Sequence, residues 1–280
     1  MRDSGRPDLV LVDGTNLLWR AAYGFPARIT TRDNVDVTAP FGFFALLRKA
    51  LREWSGPSEC IVIFDTESSW NGRQQLLPEY KQHRLGVDAA PLAWLPKIQQ
   101  GLNLQQVGWE DADGWEADDV IATVARRART RRVVLMSTDR DYHQLLGPRI
   151  LQLNTSRAAH RRVVTELDVI ERYRVRPEQW CDYVALVGDR SDGIPGVAGI
   201  GRIRAARLLA GGLSLDDLDN SERLASHSYG LRLRTQLQQA RAWRALVRFN
   251  TRAVTSVHPT GRTTPEMQLA RIALEELEIW

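Results

Sequence analysis

Leu9-Val10-Leu11-Val12-Asp13 is a four-residue apolar run closed by a carboxylate, and the same pattern recurs twice along the chain. Ile61-Val62-Ile63-Phe64 leads into Asp65, and Val133-Val134-Leu135-Met136-Ser137-Thr138 leads into Asp139. Short continuous apolar runs of this kind suit strands covered on both faces, the usual condition of a parallel sheet. In an open α/β sheet the ligand crevice lies outside the carboxyl ends of the strands, so three strands ending in Asp would bring their charges together at one spot. That is the outline of a metal site.

A further strand is expected at 150–153, and helical periodicity is clearest over Phe43 to Trp54, Ala117 to Arg129, Val175 to Val187 and Leu231 to Phe249. Strands alternating with helices predict an α/β fold, with a largely parallel central sheet flanked by helices. Beyond about residue 175 the strands stop. The expected organisation is therefore an α/β core over 1–175 and a helical region over 176–280. Glu67 to Ala90 is polar, carries Arg73, Tyr80, Lys81, His83 and Arg84, and has no evident place in the sheet. A connection that long is usually functional or mobile.

With 280 residues, 43% of them apolar, the chain has enough material for a sizeable core. Its two cysteines, Cys60 and Cys181, stand apart with no CxxC or Cys/His neighbour, so zinc and a disulfide are not expected and both read as small core residues. The first apolar run is too short for a signal or membrane segment, which makes a cytoplasmic protein the default. Net charge is +4. Lysine occurs only at Lys49, Lys81 and Lys97, every other basic residue being arginine, a skew that fits phosphate binding but equally a GC-rich codon bias. Trp19, Trp54, Trp94, Trp109, Trp115 and Trp180 flank apolar runs and are expected to be largely core.

Glu116-Ala117-Asp118-Asp119 opens a periodic apolar run. Acids in a first turn complement the helix dipole, yet three carboxylates in four residues repel one another unless a cation sits among them. Asp139 and Asp141, and then Asp189 and Asp192, are further pairs that could singly be caps or turns. Oxygen ligands without His or Cys suit Mg²⁺. The segment Gly193-Ile194-Pro195-Gly196-Val197-Ala198-Gly199-Ile200-Gly201 follows a helix, and its glycines miss the dinucleotide-binding interval. It reads as a turn between helices, whose exposed N–H groups, with Arg202, Arg204 and Arg207, would hold phosphate without reading bases. Arg241, Arg244, Arg248 and Arg252 form a basic stripe that suits a solvated face as well as a duplex. Arg126, Arg127, Arg129, Arg131 and Arg132 close a helix and are expected to be structural.

Taken in order, these strings resemble the 5′-nucleases of the flap endonuclease type, a family that includes phage 5′-3′ exonucleases and the N-terminal nuclease domain of bacterial DNA polymerase I. The resemblance runs from Leu11-Val12-Asp13-Gly14 with Arg20, through Val62-Ile63-Phe64-Asp65, Tyr80-Lys81-Gln82-His83-Arg84, Glu116 to Ile121 and Ser137 to Asp141, to Gly188 to Val197. It implies a PIN/5′-nuclease-like core with a helical arch that includes 67–90, and a helix–three-turn–helix element near 181–211. It also implies two Mg²⁺ or Mn²⁺ ions, the first with Asp13, Asp65, Glu116, Asp118 and Asp119, the second with Asp139, Asp141, Asp189 and Asp192. Lys81 and Arg84 would neutralise the scissile phosphate as catalytic groups. Arg20, Arg73, Tyr80, Gly196, Gly199, Gly201, Arg202 and Arg204 would contact DNA, and the glycine turn would hold a K⁺ ion. Gly193 stands where the family usually has Asn, and Ile203-Arg204-Ala205 replaces Lys-Thr-Ala, departures that bear on the phosphate grip and the K⁺ site.

The implied protein is a monomeric, nucleoid-associated 5′-nuclease that removes 5′ flaps or digests 5′ ends in replication or repair. It is expected to act alone or with a DNA polymerase supplied in trans. A PIN-type ribonuclease and a non-catalytic branched-DNA-binding protein are the alternatives.

Overall fold

The computed structural model describes residues 8–54, 56–66, 69, 71–77, 80, 89–219, 221, 224 and 229–280. Lys81 and Arg84 lie outside the described residues. The elements, in chain order, are β1 (Asp8–Asp13), α1 (Gly14–Gly24), α2 (Thr38–Glu53), β2 (Ser58–Phe64), α3 (Asn71–Leu76), α4 (Leu95–Leu104), β3 (Gly108–Asp111), α5 (Ala117–Arg127) and β4 (Val133–Met136). They continue with β5 (Ile150–Leu153), β6 (Val163–Val164), α6 (Glu166–Tyr173), α7 (Trp180–Val187), α8 (Arg202–Leu208), α9 (Leu215–Leu218), α10 (Gly230–Val247) and α11 (Ala270–Glu276).

The six-stranded sheet has the order β3-β2-β1-β4-β5-β6, parallel except for β6. The expected strands are all present. β3 was not anticipated because Gly108-Trp109-Glu110-Asp111 has neither an apolar run nor full burial, and β6 is only two residues long. Because strand side chains alternate, Leu9 and Leu11 of β1 join the core beneath α5, whereas Val10 and Val12 join the core shared with α1, α2, α4 and α11. Gly14 lets α1 start hard against β2, since a Cβ there would lie 2.6 Å from the Phe64 ring and 2.7 Å from Val62.

Helix α2 begins earlier than expected, at Thr38, because Pro40 sits in a first turn whose amides have no partner within the helix. α5 stops at Arg127, two residues short of the expected end, and α7 is preceded by a 3₁₀ turn over Pro177–Gln179. A third core, containing Trp180, Leu186, Ile194, Leu208, Leu233 and Trp243, lies among α6 to α10. Of the tryptophans expected inside, only Trp180 is fully buried; Trp19, Trp54, Trp94, Trp109 and Trp115 are half-buried at the rims. Cys60 and Cys181 are buried, as expected of small core residues.

Residues beyond 250 cross the back of β2 as a strap. Thr264 donates its amide to the Ser58 carbonyl at 2.9 Å, and its hydroxyl accepts from the Cys60 amide at 2.8 Å. Glu59 accepts from the amides of Thr260 and Gly261 and pairs with buried Arg131. Arg131 and Arg132 therefore work on the sheet rather than at a helix terminus, Arg132 being paired with Asp8. Among the described residues no helix is long and apolar enough to cross a membrane.

Candidate metal centre

Asp13 ends β1, Asp65 follows β2 and Asp139 lies just past β4, and these are three adjacent parallel strands whose carboxyl ends face the same way. The chain reverses its direction of strand addition between β1 and β4, the kind of switch point where α/β sheets open a crevice. Each acid is set there by local backbone geometry. Asp13 is the N-cap of α1, accepting from the Asn16 amide at 2.9 Å and, through its other oxygen, from the Ser137 hydroxyl at 2.9 Å. Asp65 accepts from the Ala117 amide at 2.8 Å, so it caps the start of α5 from outside that helix. Both carboxylates thus sit at the positive ends of helices. Asn16 ties the two strand ends together by accepting from the Thr138 amide and hydroxyl at 3.1 and 2.9 Å.

The acidic triplet forms the start of α5 with Glu116 as its N-cap. Glu116 and Asp119 are almost completely buried, and buried Arg73 from α3 bridges them, at 2.6 Å to Glu116 and 2.9 Å to Asp119. Asp118 accepts from the Tyr142 hydroxyl. On the other side, the Asp141 amide donates to Asp139 at 2.8 Å, and the indole N–H of Trp180 donates to Asp141 at 3.1 Å. Asp189 and Asp192 sit on the turn after α7, where Asp189 accepts from Arg140 at 2.9 Å.

The charges act on one another. Burial, then the neighbouring Asp65, pushes the Asp13 carboxyl up to about 7. Burial and then Asp139, Asp192 and Asp189 hold Asp141 well above the usual carboxylate range. Burial also raises Asp119, against the opposing pull of Arg73. Asp13, Asp65 and Asp139 thus act on one another, as do Asp139, Asp141, Asp189 and Asp192, while Glu116 and Asp119 are joined through Arg73. Among the described residues, however, no three carboxylate, imidazole or thiol groups are gathered closely enough to form a metal cage as they stand. Asp13, Asp65, Asp118, Asp119, Asp139, Asp141 and Asp189 each accept from a nearby donor instead. Crowded oxygen donors with no His or Cys among them, Asp13 and Asp141 buried beside other carboxylates, are the chemistry that a hard divalent cation fits.

Several expected DNA contacts lie elsewhere. Arg73 is buried on Glu116 and Asp119 rather than open to a duplex. Tyr80 is buried and belongs to the helical core, so it has no face to offer a base. Arg20 donates to the hydroxyl and, at 2.7 Å, to the carbonyl of Thr155. Gly196 is buried with φ +73°, and a Cβ there would lie 2.5 Å from the Gly188 nitrogen, so its glycine serves close packing of the turn. Gly199, Gly201, Arg202 and Arg204 are exposed, with Arg204 donating to the Gly199 carbonyl at 2.6 Å and Arg202 lying over the Tyr173 ring. Within the basic stripe, Arg241 and Arg244 are committed to Asp216, and Arg244 also to Asp182. Sequence reasoning missed Asn16, Ser137, Tyr142 and Trp180, which orient the acids. The hints were the place of Ser137 in the string that ends in Asp141 and of Tyr142 directly after it.

Residues 8–174 match the family profile described as 5′-3′ exonuclease, N-terminal resolvase-like domain, and residues 175–268 match its C-terminal SAM fold. The thermostable DNA polymerase I of Thermus filiformis is 34% identical over 275 residues, covering 96% of this chain and 32% of that protein. DNA polymerase I of Mycobacterium bovis is 34% identical over 217 residues, covering 74% of this chain and 23% of that protein. The chain thus spans about a third or less of the length of these relatives. Among solved structures, bacteriophage T5 flap endonuclease in a complex with DNA and metal ions superposes with a TM-score of 0.70 at 24% identity, covering 97% of this chain and 99% of that one. The catalytic core of Rad2 with a DNA substrate gives 0.58 at 12% identity, covering 98% and 89%.

Proposed function

The chain belongs to the 5′-3′ exonuclease family, and from that premise we propose that it is a structure-selective 5′-nuclease that hydrolyses DNA phosphodiesters and removes 5′ flaps or 5′ ends in replication or repair. The observation that carries the proposal is the arrival of Asp13, Asp65 and Asp139 at one edge of three adjacent strands, with Asp141, Asp189 and Asp192 acting on the same neighbourhood.

Asp13, Asp65, Glu116, Asp118 and Asp119 would hold one divalent ion, and Asp139, Asp141, Asp189 and Asp192 a second; Mg²⁺ or Mn²⁺ suits an all-oxygen set. When bound, such ions lower the pKa of a coordinated water, align it and stabilise the leaving oxygen. The chain's own groups supply the rest. Ser137, Tyr142 and Trp180 hold the acids in orientation through hydrogen bonds to Asp13, Asp118 and Asp141. Lys81 and Arg84 would neutralise the scissile phosphate. Gly199, Gly201, Arg202 and Arg204 form the exposed part of the turn and of α8, which would hold the backbone of duplex DNA without reading its sequence. A K⁺ ion suits this turn less well than the resemblance implies, because the Arg204 guanidinium already occupies the Gly199 carbonyl.

In this reading residues 1–175 form the nuclease core and 176–280 the duplex-binding region. In the same reading the protein works as a monomer on nucleoid DNA in the cytoplasm. Incubating a 5′-labelled flap duplex with protein and Mg²⁺ or Mn²⁺ should give cutting near the single-strand junction, and Asp118→Ala should abolish cutting while leaving binding largely intact. Tight binding without cutting under either metal would sink the enzymatic reading. Preferential cleavage of the matching RNA would favour the ribonuclease alternative.

A further inference from the structure

We propose that Arg73 is a positioning residue that serves as resident counter-cation for Glu116 and Asp119, and that it yields these carboxylates when a divalent ion takes them. The seating of α3 is then coupled to ion binding. The inference rests on the reading above in one respect, that Glu116 and Asp119 are ligands.

Its grounds are geometric. Arg73 is 9% exposed, Glu116 2% and Asp119 6%, and the guanidinium bridges the two carboxylates at 2.6 and 2.9 Å. A buried charge must be paired and arginine does not lose its proton, so Arg73 is held by the two carboxylates, which together exceed it by one negative charge. A divalent ion demands the same oxygens. Two cations crowded onto one pair of carboxylates repel each other, so the arginine and the ion compete.

Arg73 also sits where three parts of the fold meet. It belongs to α3, while Leu77 and Tyr80, just beyond that helix, join the apolar core of α6 to α10. Its partners Glu116 and Asp119 start α5, and the same Asp119 oxygen accepts from the Asn250 amide at 2.7 Å, three residues past α10. Release of the guanidinium therefore loosens α3 from α5 without detaching Asp119 from the strap. It also frees a planar set of donors on the segment that leads to Lys81 and Arg84.

The probe is Mn²⁺ alone, without DNA, at pH 8. Its binding is followed by loss of the free-ion paramagnetic resonance signal, and stability by Tm across the same titration, for wild type, Arg73→Gln and Arg73→Lys. Arg73→Gln should have a lower Tm without metal and bind its tightest Mn²⁺ about tenfold more strongly, a modest share of the repulsion between close charges at an effective dielectric of about 20. Its Tm deficit should shrink as Mn²⁺ saturates. Arg73→Lys keeps the charge but loses the fork, and should fall between the two. Equal Mn²⁺ affinity in all three proteins, with a constant Tm deficit, overturns the proposal and leaves the metal reading standing. If Arg73→Gln does not fold, Arg73→Met, equally uncharged, takes its place, and an affinity equal to wild type overturns the proposal in the same way. A wild type that binds no Mn²⁺ overturns both.

Discussion

His143 is 1% exposed, with its ring 4.5 Å from Trp180 and 5.7 Å from Tyr173, and it stands beside the hydrogen bond by which Trp180 holds Asp141. Burial, and then the positive field of Arg157, Arg140 and Arg172, drives its pKa down to about 3 from an ordinary 6.5. The sign follows directly. Between these values the unfolded chain takes up a proton that the native ring refuses, so this residue's contribution to stability is complete above pH 6.5 and is lost as pH falls toward 3. Denaturation from pH 7 down to pH 4 should show wild type losing about 1.4 kcal/mol more per pH unit than His143→Phe in the lower part of that range. Parallel curves for the two proteins would refute the assignment. Its field comes from Arg140, one turn before it, together with Arg157 and Arg172, which only folding brings beside the ring.

At the scale of elements, the strap over 250–268 and strand β2 are joined by Thr264, which bonds Ser58 and Cys60, and by the buried side chain of Glu59. Glu59 is 6% exposed, pairs with Arg131, and accepts from the Thr260 amide and hydroxyl and the Gly261 amide. Removing one member of a buried pair leaves the other charge uncompensated, at a cost of about 3 to 5 kcal/mol. Glu59→Ala should therefore lose about that much in urea denaturation, whereas Thr260→Ala, which leaves the ion pair and both amides in place, should lose about 1 kcal/mol. Equal losses would mean that the strap is held by its own bonds and not by the pair. The strap's residues are polar and aperiodic, so its packing has no signal in the sequence. Its order comes from hydrogen bonds to Ser58, Glu59, Cys60 and Glu110 that only the folded sheet presents.

Across the whole molecule, a net charge of +4 is spread over 38 basic and 34 acidic residues, so what a polyanion meets depends on which cations are already paired. Arg241 and Arg244 of α10 are engaged by Asp216, whereas Arg202 at the start of α8 is exposed over the Tyr173 ring. Binding to a 5′-flap duplex should weaken steeply with salt, as phosphate contacts demand. Replacing Arg202 by Ala should reduce the slope of log affinity against log salt by about 1, and Arg241→Ala should leave it nearly unchanged. The reverse pattern would move the duplex from the glycine turn to the α10 stripe.

The α/β alternation, the parallel sheet and the convergence of Asp13, Asp65 and Asp139 were legible in the sequence because buried strands need apolar runs and a carboxylate closing such a run has one edge to go to. The match of the acidic strings, in order, to the 5′-nucleases added the family. Only the tertiary structure decided how each charge is balanced. Arg73 and Tyr80 lie in a segment whose polarity suggests exposure, yet one is buried on Glu116 and Asp119 and the other in the helical core. The arginines of α10 look like a binding stripe until α9 supplies Asp216. Periodicity along one chain reports which face of an element is apolar, whereas the partner of a charge is set by elements that are remote in sequence and meet only when the sheet and its helices close.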